Sequence, residues 1–259
     1  MTIIASWNIN SVRIRVELLI KFIKEVNPDV ILLQEIKCLN DDFPDFYSSL
    51  NYKAIINGQK GKFGVAILLK NKLNFSLINY ENEILEKESR TNFIYIKELD
   101  LNILNVYTPN GNPIDNSEKL KFKISWLSEI NKISKKYIRN MQNLLIAGDF
   151  NVLEKEKDVT NFDNWDLDAL GCDETRKKFR EILYSGLTNI VRLFKKPGSV
   201  FSYWDYQRAS WERNDGLLID HFLLSPKYLR FIENINFETK FRGMEKPSDH
   251  IPVWIKLNI

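Results

Sequence analysis

Short apolar runs alternate along the chain with amphipathic stretches, and polar residues cluster where the apolar runs stop. The strand predicted over 143–147 is apolar from Leu144 on, halts at Gly148, and then presents Asp149 and Asn151. Such a run suits a strand buried on both faces. The two polar residues, spaced two apart, project to the same side of an extended chain. Taken alone, Asp-x-Asn reads as a turn, but other strands end in the same way. Residues 3–7 form a β-like run ending in Asn8, Ile9, Asn10 and Ser11. Ser11 is placed to cap a helix over 12–26, with Leu18, Leu19, Phe22, Ile23 and Val26 on one face. Asn27-Pro28-Asp29 breaks that helix, and a buried strand over 30–33 follows, ending in Gln34 and Glu35.

Further β-like runs cover 52–56, 64–69, 75–80, 93–96 and 101–107, the last ending in Tyr107-Thr108-Pro109-Asn110-Gly111. The charged run 81–90 reads as an exposed loop. Asn116 or Ser117 opens a long amphipathic helix to about residue 137, with Leu120, Ile124, Leu127 and Ile130 inward. Residues 154–165 are polar and irregular and are placed on the surface. A helix over 175–184, a buried-looking segment over 187–194 and an aromatic cluster over 201–206 come next. The final strands are read over 217–224, interrupted by Asp220 and His221, then over 231–240, and last over 251–257 after Ser248-Asp249-His250.

Neither a repeat nor a linker divides the 259 residues, so one domain over 1–259 is expected. An apolar content of 44% with 27% charged residues is ordinary for a globular protein. Apolar stretches are too short for a membrane span. The first residues run into a strand without a basic start and cleavage site, so a cytoplasmic location is expected. Cys38 and Cys172 form no CxxC pair and read as free thiols. The net charge of +3 suits a polyanionic partner if basic residues share a face. Lys60 and Lys62, on the glycine-rich turn 57–62, are candidates for a phosphate-backbone contact and equally for simple solubilising charges.

Asn8, Glu35, Tyr107, Asp149, Asn151, Asp220, Asp249 and His250 all fall at ends of predicted buried strands. The chain has two histidines, each directly after an aspartate. Asp220 and His221 point to opposite faces of their strand, so Asp220 cannot orient His221 and its natural partner is His250. A buried carboxylate would fix the imidazole's tautomer and favour its protonated form. His221, flanked by Phe222 and Leu223, reads as a packing histidine. Zinc spacing, a nucleophile elbow and a phosphate-binding glycine loop before a helix are all absent from the sequence. Glu35, with Asn10 and Asp249, offers hard oxygen donors suited to Mg²⁺ or Mn²⁺. Carboxylates, amides, one histidine and a hard metal suit phosphodiester cleavage.

Trp7-Asn8-Ile9-Asn10, Leu33-Gln34-Glu35-Ile36-Lys37, Tyr107-Thr108-Pro109-Asn110-Gly111, Gly148-Asp149-Phe150-Asn151, Asn214-Asp215-Gly216-Leu217-Leu218-Ile219-Asp220-His221 and Ser248-Asp249-His250 occur in this order. Together they resemble the exonuclease III type of abasic-site DNA endonuclease, within the endonuclease–exonuclease–phosphatase superfamily. The resemblance implies an α/β fold, a four-layer α/β sandwich with two mixed central β-sheets face to face and helices on both outer faces. It implies incision of duplex DNA 5′ to abasic sites, with 3′-end cleaning and 3′ to 5′ exonuclease activity, by a monomer. Double-stranded DNA with abasic sites or blocked 3′ ends would be the partner.

By the same resemblance Glu35 binds Mg²⁺, with Asp249 and Asn10 beside it. Asp149, oriented by Asn8, deprotonates the attacking water, with His250 the other candidate for the base. Asn151, Tyr107 and His250, the last held by Asp220, bind the scissile phosphate. Tyr203, Trp204, Leu217 and Ile219 match a pocket for a flipped-out abasic sugar, and Trp204 equally suits a core. Lys123 and Arg192 match basic positions, Lys123 as a DNA contact and Arg192 rather as a structural ion pair. Two departures stand out. Leu218 replaces an arginine, which would weaken a DNA contact, and Asn189 replaces an aspartate, which would leave Arg192 without its usual partner. The rival readings are a phosphoesterase of the superfamily acting on RNA or inositol phosphates, and a catalytically weak nucleic-acid binder.

Overall fold

A computed structural model describes residues 1–115, 117–163 and 165–259. In chain order the strands are β1 (Thr2–Asn8), β2 (Val30–Gln34), β3 (Tyr52–Asn57), β4 (Val65–Lys70), β5 (Phe75–Leu77) and β6 (Thr91–Ile96). They continue with β7 (Leu101–Tyr107), β8 (Leu144–Asp149), β9 (Thr188–Asn189), β10 (Asp220–Leu224), β11 (Ile232–Phe237) and β12 (Val253–Leu257). The helices are α1 (Val16–Val26), α2 (Glu83–Glu86), α3 (Ser117–Arg139), α4 (Asp173–Leu183), α5 (Ile190–Phe194) and α6 (Pro226–Leu229).

The strands form two six-stranded sheets, ordered β11-β12-β1-β2-β4-β3 and β5-β6-β7-β8-β10-β9. Each has one parallel pair at its centre, β1 with β2 and β7 with β8. The remaining pairs are antiparallel. A parallel pair needs a crossover, and α1 and α3 supply them. Alternate residues of the strands, including Ile4, Val30, Leu32, Ile103, Leu145, Ala147, Phe222 and Leu224, pack into one apolar layer between the sheets. The opposite set of the first sheet, Ala5, Trp7, Ile31 and Leu33, packs against Leu19, Phe22 and Ile23 of α1. On the second sheet, Leu104, Val106, Leu144 and Ile146 pack against Trp126, Leu127, Ile130 and Ile133 of α3 and Phe179 and Ile182 of α4. The result is the expected four-layer α/β sandwich, helix–sheet–sheet–helix.

Trp7, Phe22 and Phe241 meet edge to face at centroid distances of 5.6–5.8 Å. Phe22→Ala should therefore cost about 3–5 kcal/mol. A fall in Tm of about 10 °C in a calorimetric scan is the expected reading, and an unchanged Tm would contradict the packing.

Several local expectations change. Ser11 caps nothing: its φ is 84° and its side chain makes no cap bond. A short 3-10 turn over Val12–Ile14 intervenes, and α1 begins only at Val16. Asn116, one candidate for opening α3, lies outside the described residues. The run 81–90 is not all exposed, since Leu85 and Arg90 are buried. In the polar stretch 154–165, Glu154 and Asp158 are buried because both pair with Arg192.

Period-two alternation carries the apolar layer into the site. Ile4 faces the layer between the sheets, so Ser6 and Asn8 face the same way. Likewise Gln34 follows Val30 and Leu32, Asn105 and Tyr107 follow Ile103, and Asp149 follows Leu145 and Ala147. The inter-sheet space is thus apolar in its depth and polar at one end. Gln34 donates to Ser6 Oγ at 3.1 Å and to Asn105 Oδ1 at 2.8 Å. Asn105 Nδ2 donates across the gap to the carbonyls of Leu33 and Ala66 at 3.0 and 3.1 Å. This buried amide layer ties one sheet to the other directly beneath the strand ends. It is satisfied by partners on both sides, as burial requires.

Candidate active site

The C-terminal ends of β1, β2, β7 and β8 converge, and the start of β10 joins them, with Asp220 opposite Asp149 in register. Gly148 allows β8 to lie close against its neighbour: a Cβ there would sit 2.0 Å from the Val106 carbonyl oxygen, and its φ is 145°. Beyond the strands the backbone turns sharply through left-handed conformations at Asn10 (φ 44°), Glu35 (φ 50°) and Asn151 (φ 49°). Such conformations at non-glycine residues cost about 1 kcal/mol each and gather at functional sites.

Asn8 is fully buried and central. Its Nδ2 donates to Glu35 Oε1 at 2.9 Å and to Asp149 Oδ2 at 3.0 Å, and its Oδ1 accepts from the Asn10 N–H at 3.1 Å. Asp149 Oδ1 accepts from the Asn151 N–H at 2.9 Å. Asn151 Nδ2 donates to the Thr108 carbonyl at 2.9 Å. His250 Nδ1 bonds Asp220 Oδ2 at 2.8 Å, and its Nε2 faces Asp149 Oδ2 at 3.6 Å. The expected Asp220–His250 pair is therefore formed. His221 lies on the other face, buried against Phe150 and Phe179, with its nitrogens met by Asn189 and the Val152 carbonyl.

Burial pushes the Asp149 pKa up, with the nearby Asp220 charge adding to it, to about 7. Burial alone would lower His250, but the carboxylates of Asp220 and Asp149 outweigh it and raise the pKa to about 10. Burial also opposes ionisation of Glu35, yet Lys37 and the Asn8 amide prevail and hold its carboxyl below the ordinary range. Tyr107 is held neutral, far above its usual value, by burial and by the Glu35 and Asp149 charges. The site thus pairs an imidazolium, a ready hydrogen-bond donor, with a carboxylate whose basicity is matched to neutral pH.

Because Asn8 Nδ2 stands between the Glu35 and Asp149 carboxylates, Asn8→Ala should bring two unscreened anions face to face. The expected result is an Asp149 pKa raised further, so that the acid limb of the activity profile moves to higher pH. About a tenfold loss of kcat at neutral pH is expected. An unmoved limb would exclude this role.

The oxygens of Glu35, Asn10 and Asp249 gather on one side. Lys37 Nζ sits 2.8 Å from Glu35 Oε2 and 2.5 Å from Asn10 Oδ1, and Asn10 Nδ2 donates to Asp249 Oδ1 at 3.0 Å. The ammonium marks where these oxygens attract positive charge. Among the described residues, no group of three or more His, Cys, Asp or Glu side chains is arranged to hold an ion. Two carboxylates and an amide oxygen nonetheless fit a hard cation that keeps several of its waters, as Mg²⁺ does.

A cavity of about 550 Å³ opens beside this cluster, lined by Tyr107, Asn151 and His250 on one wall and Val159, Leu217 and Ile219 on another. A model of the endonuclease/exonuclease/phosphatase family matches residues 5–250. The chain belongs to this family. Exodeoxyribonuclease III of Haemophilus influenzae is 30% identical over 263 residues, covering 96% of this chain and 97% of that protein. An AP endonuclease structure from Archaeoglobus fulgidus superimposes with a TM-score of 0.90 at 28% identity, and each chain is covered completely. A Neisseria 3′ phosphatase bound to a product DNA hairpin does so with a TM-score of 0.91 at 26% identity, again with complete coverage of both.

Within this family fold some of the expected residues sit elsewhere than the resemblance implied. Tyr203, Leu217 and Ile219 line the cavity, whereas Trp204 does not. It is buried beneath, packed on Trp211, with Nε1 bonded to Asn214 Oδ1 at 3.2 Å. Lys60 and Lys62 are exposed on their turn, whose Phe63 ring lies 6.2 Å from that of Tyr107. Lys123 is fully buried and gives its three N–H groups to carbonyls, so it has none for a phosphate. Burial draws its pKa down to about 7. Leu218 is buried between the sheets. Arg192 pairs with Glu154 at 2.9 Å and with Asp158, although its Nη1 finds no partner, and Asn189 donates to the same Glu154.

Other contributors escaped the sequence reading. Ser202 Oγ donates to Asp220 Oδ2 at 2.6 Å and accepts from the Asp220 N–H, fixing the carboxylate that holds His250. The Arg90 guanidinium lies over the rings of both Phe63 and Tyr107, 3.9 and 4.6 Å from their centroids. Arg208 and Arg213 stand at the cavity wall. A serine within an aromatic run and arginines in a charged loop carry no periodic signal that would single them out.

Proposed function

We propose that the chain is a DNA-repair phosphodiesterase of the exonuclease III type, which incises duplex DNA 5′ to abasic sites and cleans and shortens 3′ ends. The observation that carries this reading is the Asn8-centred array, in which Asp149 and the Asp220–His250 pair face one cavity 3.6 Å apart. Its support from outside the chain is the full-length likeness to an exodeoxyribonuclease III, an AP endonuclease and a DNA-bound 3′ phosphatase.

In this reading Asp149, aligned by Asn8, accepts the proton of the attacking water. His250, kept protonated by Asp220, donates Nε2–H to a phosphate oxygen as charge builds there. The side chains of Asn151 and Tyr107 hold the same phosphate. Glu35, Asn10 and Asp249 would hold Mg²⁺ or Mn²⁺, which when bound supplies positive charge near the departing 3′ oxygen. Val159, Leu217, Ile219 and Tyr203 offer an apolar seat for an extruded sugar, and a nucleotide without a base costs least to extrude.

A duplex labelled at its 5′ end and carrying one abasic site tests the reading, with Mg²⁺ and with chelator. Metal-dependent incision on the 5′ side of the lesion, leaving a 3′ hydroxyl, is expected. Shortening from the 3′ end alone would make the protein chiefly an exonuclease. Cleavage of RNA tails or inositol phosphates, with the duplex left intact, would overturn the reading.

A further inference from the structure

Lys123 projects from α3 into the protein rather than into solvent. Its ammonium lies 3.0 Å from the Asn110 carbonyl oxygen, 2.6 Å from that of Asn151 and 2.8 Å from that of Ala169. These carbonyls belong to three separate segments: the loop after β7 that follows Tyr107, the loop after β8 that carries Asn151, and the loop whose Asp168 and Leu170 wall the cavity. Burial alone favours the neutral amine, but three carbonyls facing Nζ favour the charged form, whose three N–H groups each go to a different loop. Charge-assisted bonds of this kind are about twice as strong as neutral ones. Carbonyls left unpaired at this depth would cost free energy.

On its Gly111 side the stem of Lys123 is closely packed. A Cβ added at Gly111 would lie 2.8 Å from Lys123 Cδ and 3.0 Å from Ala169 Cβ. Asn112 links the first and third segments as well, accepting from the Ala169 N–H at 2.9 Å and donating to Asp168 at 3.0 Å. Asn151 is then fixed at three points, its carbonyl by Lys123, its N–H by Asp149 and its Nδ2 by the Thr108 carbonyl. Of these restraints, the Lys123 bond sets the peptide that leaves Asn151, where φ is 49°.

We propose that Lys123 is a positioning residue: its buried ammonium clamps three loops together and so fixes Asn151 and Tyr107 against the scissile phosphate. The inference rests on the functional reading above. A misplacement of about 1 Å in groups that orient a reacting phosphate costs about a hundredfold in rate.

Single-turnover cleavage of the abasic duplex by wild type, K123Q and K123M is the test, with duplex affinity measured across a salt series without metal. Asn151 side-chain amide signals in ¹⁵N spectra of the free proteins accompany it. K123M, which has no donors, is expected to lose about a hundredfold in kcat, with Kd and its salt dependence unchanged and the Asn151 amide shifted. K123Q, with two donors, should fall between. If K123M does not fold, K123Q against wild type carries the same comparison. An unchanged kcat or an unmoved Asn151 amide overturns the clamp. So does weakened binding with a salt slope reduced by about one, the signature of a direct phosphate contact. A wild type that leaves abasic sites uncut defeats the functional reading instead, and the amide signals still decide the clamp.

Discussion

Asp149→Asn is expected to lower kcat on an abasic duplex by about four orders of magnitude while leaving affinity for that duplex nearly unchanged. The amide is isosteric, so the strand end and the cavity should keep their shape. What disappears is the proton acceptor. Asp149 is 1% exposed and receives Asn8 Nδ2 and the Asn151 N–H on separate oxygens. Oδ2 is also the atom nearest His250, leaving it poised between the imidazolium and the cavity. Stopped-flow cleavage set beside fluorescence anisotropy would separate the two effects. Rapid turnover by the variant would remove Asp149 from the role of base.

His250→Gln is the second large effect, about 3 kcal/mol of transition-state stabilisation or about a hundredfold in kcat. The pH profile gives the sharper reading. Asp149 must be ionised to accept a proton, so activity should rise as pH climbs through about 7. His250 must be protonated to donate, so activity should fall as pH climbs through about 10. In the variant the descending limb should vanish, because glutamine does not titrate. The ascending limb should move to higher pH, because the imidazolium that helps Asp149 ionise is gone. A wild-type profile in the variant would refute the pairing of His250 with both aspartates.

The strand pattern was readable because alternation and apolar runs report directly on a sheet covered on both faces. The same rule placed Asp220 and His221 on opposite faces and so paired Asp220 with His250, now seen at 2.8 Å. Ser202, in a loop, stayed hidden because its role depends on Asp220 of β10, which spacing along one segment does not reveal. Lys123 was legible in hindsight. It lies three residues after Leu120 and four before Leu127, on the inward stripe of its helix, and that spacing outweighs the usual surface habit of lysine. Ser11 failed as a cap because the chain turns through a left-handed residue before the helix starts, and propensity is silent on that choice. Arg192 pairs instead with Glu154 and Asp158, which arrive from a stretch that composition alone assigns to solvent.

The amide that Asn105 sends across to the Leu33 and Ala66 carbonyls binds two sheets that each hold only half of the chemistry. Asn8, Glu35, Asp249 and His250 ride on one sheet, whereas Tyr107, Asp149, Asn151 and Asp220 ride on the other. Neither half is an enzyme. Catalytic competence is therefore a property of the docked sandwich, and during heating or refolding it reports the moment of docking. Any opening of the layer between the sheets is expected to part the two halves of the site and abolish cleavage before the helices unwind.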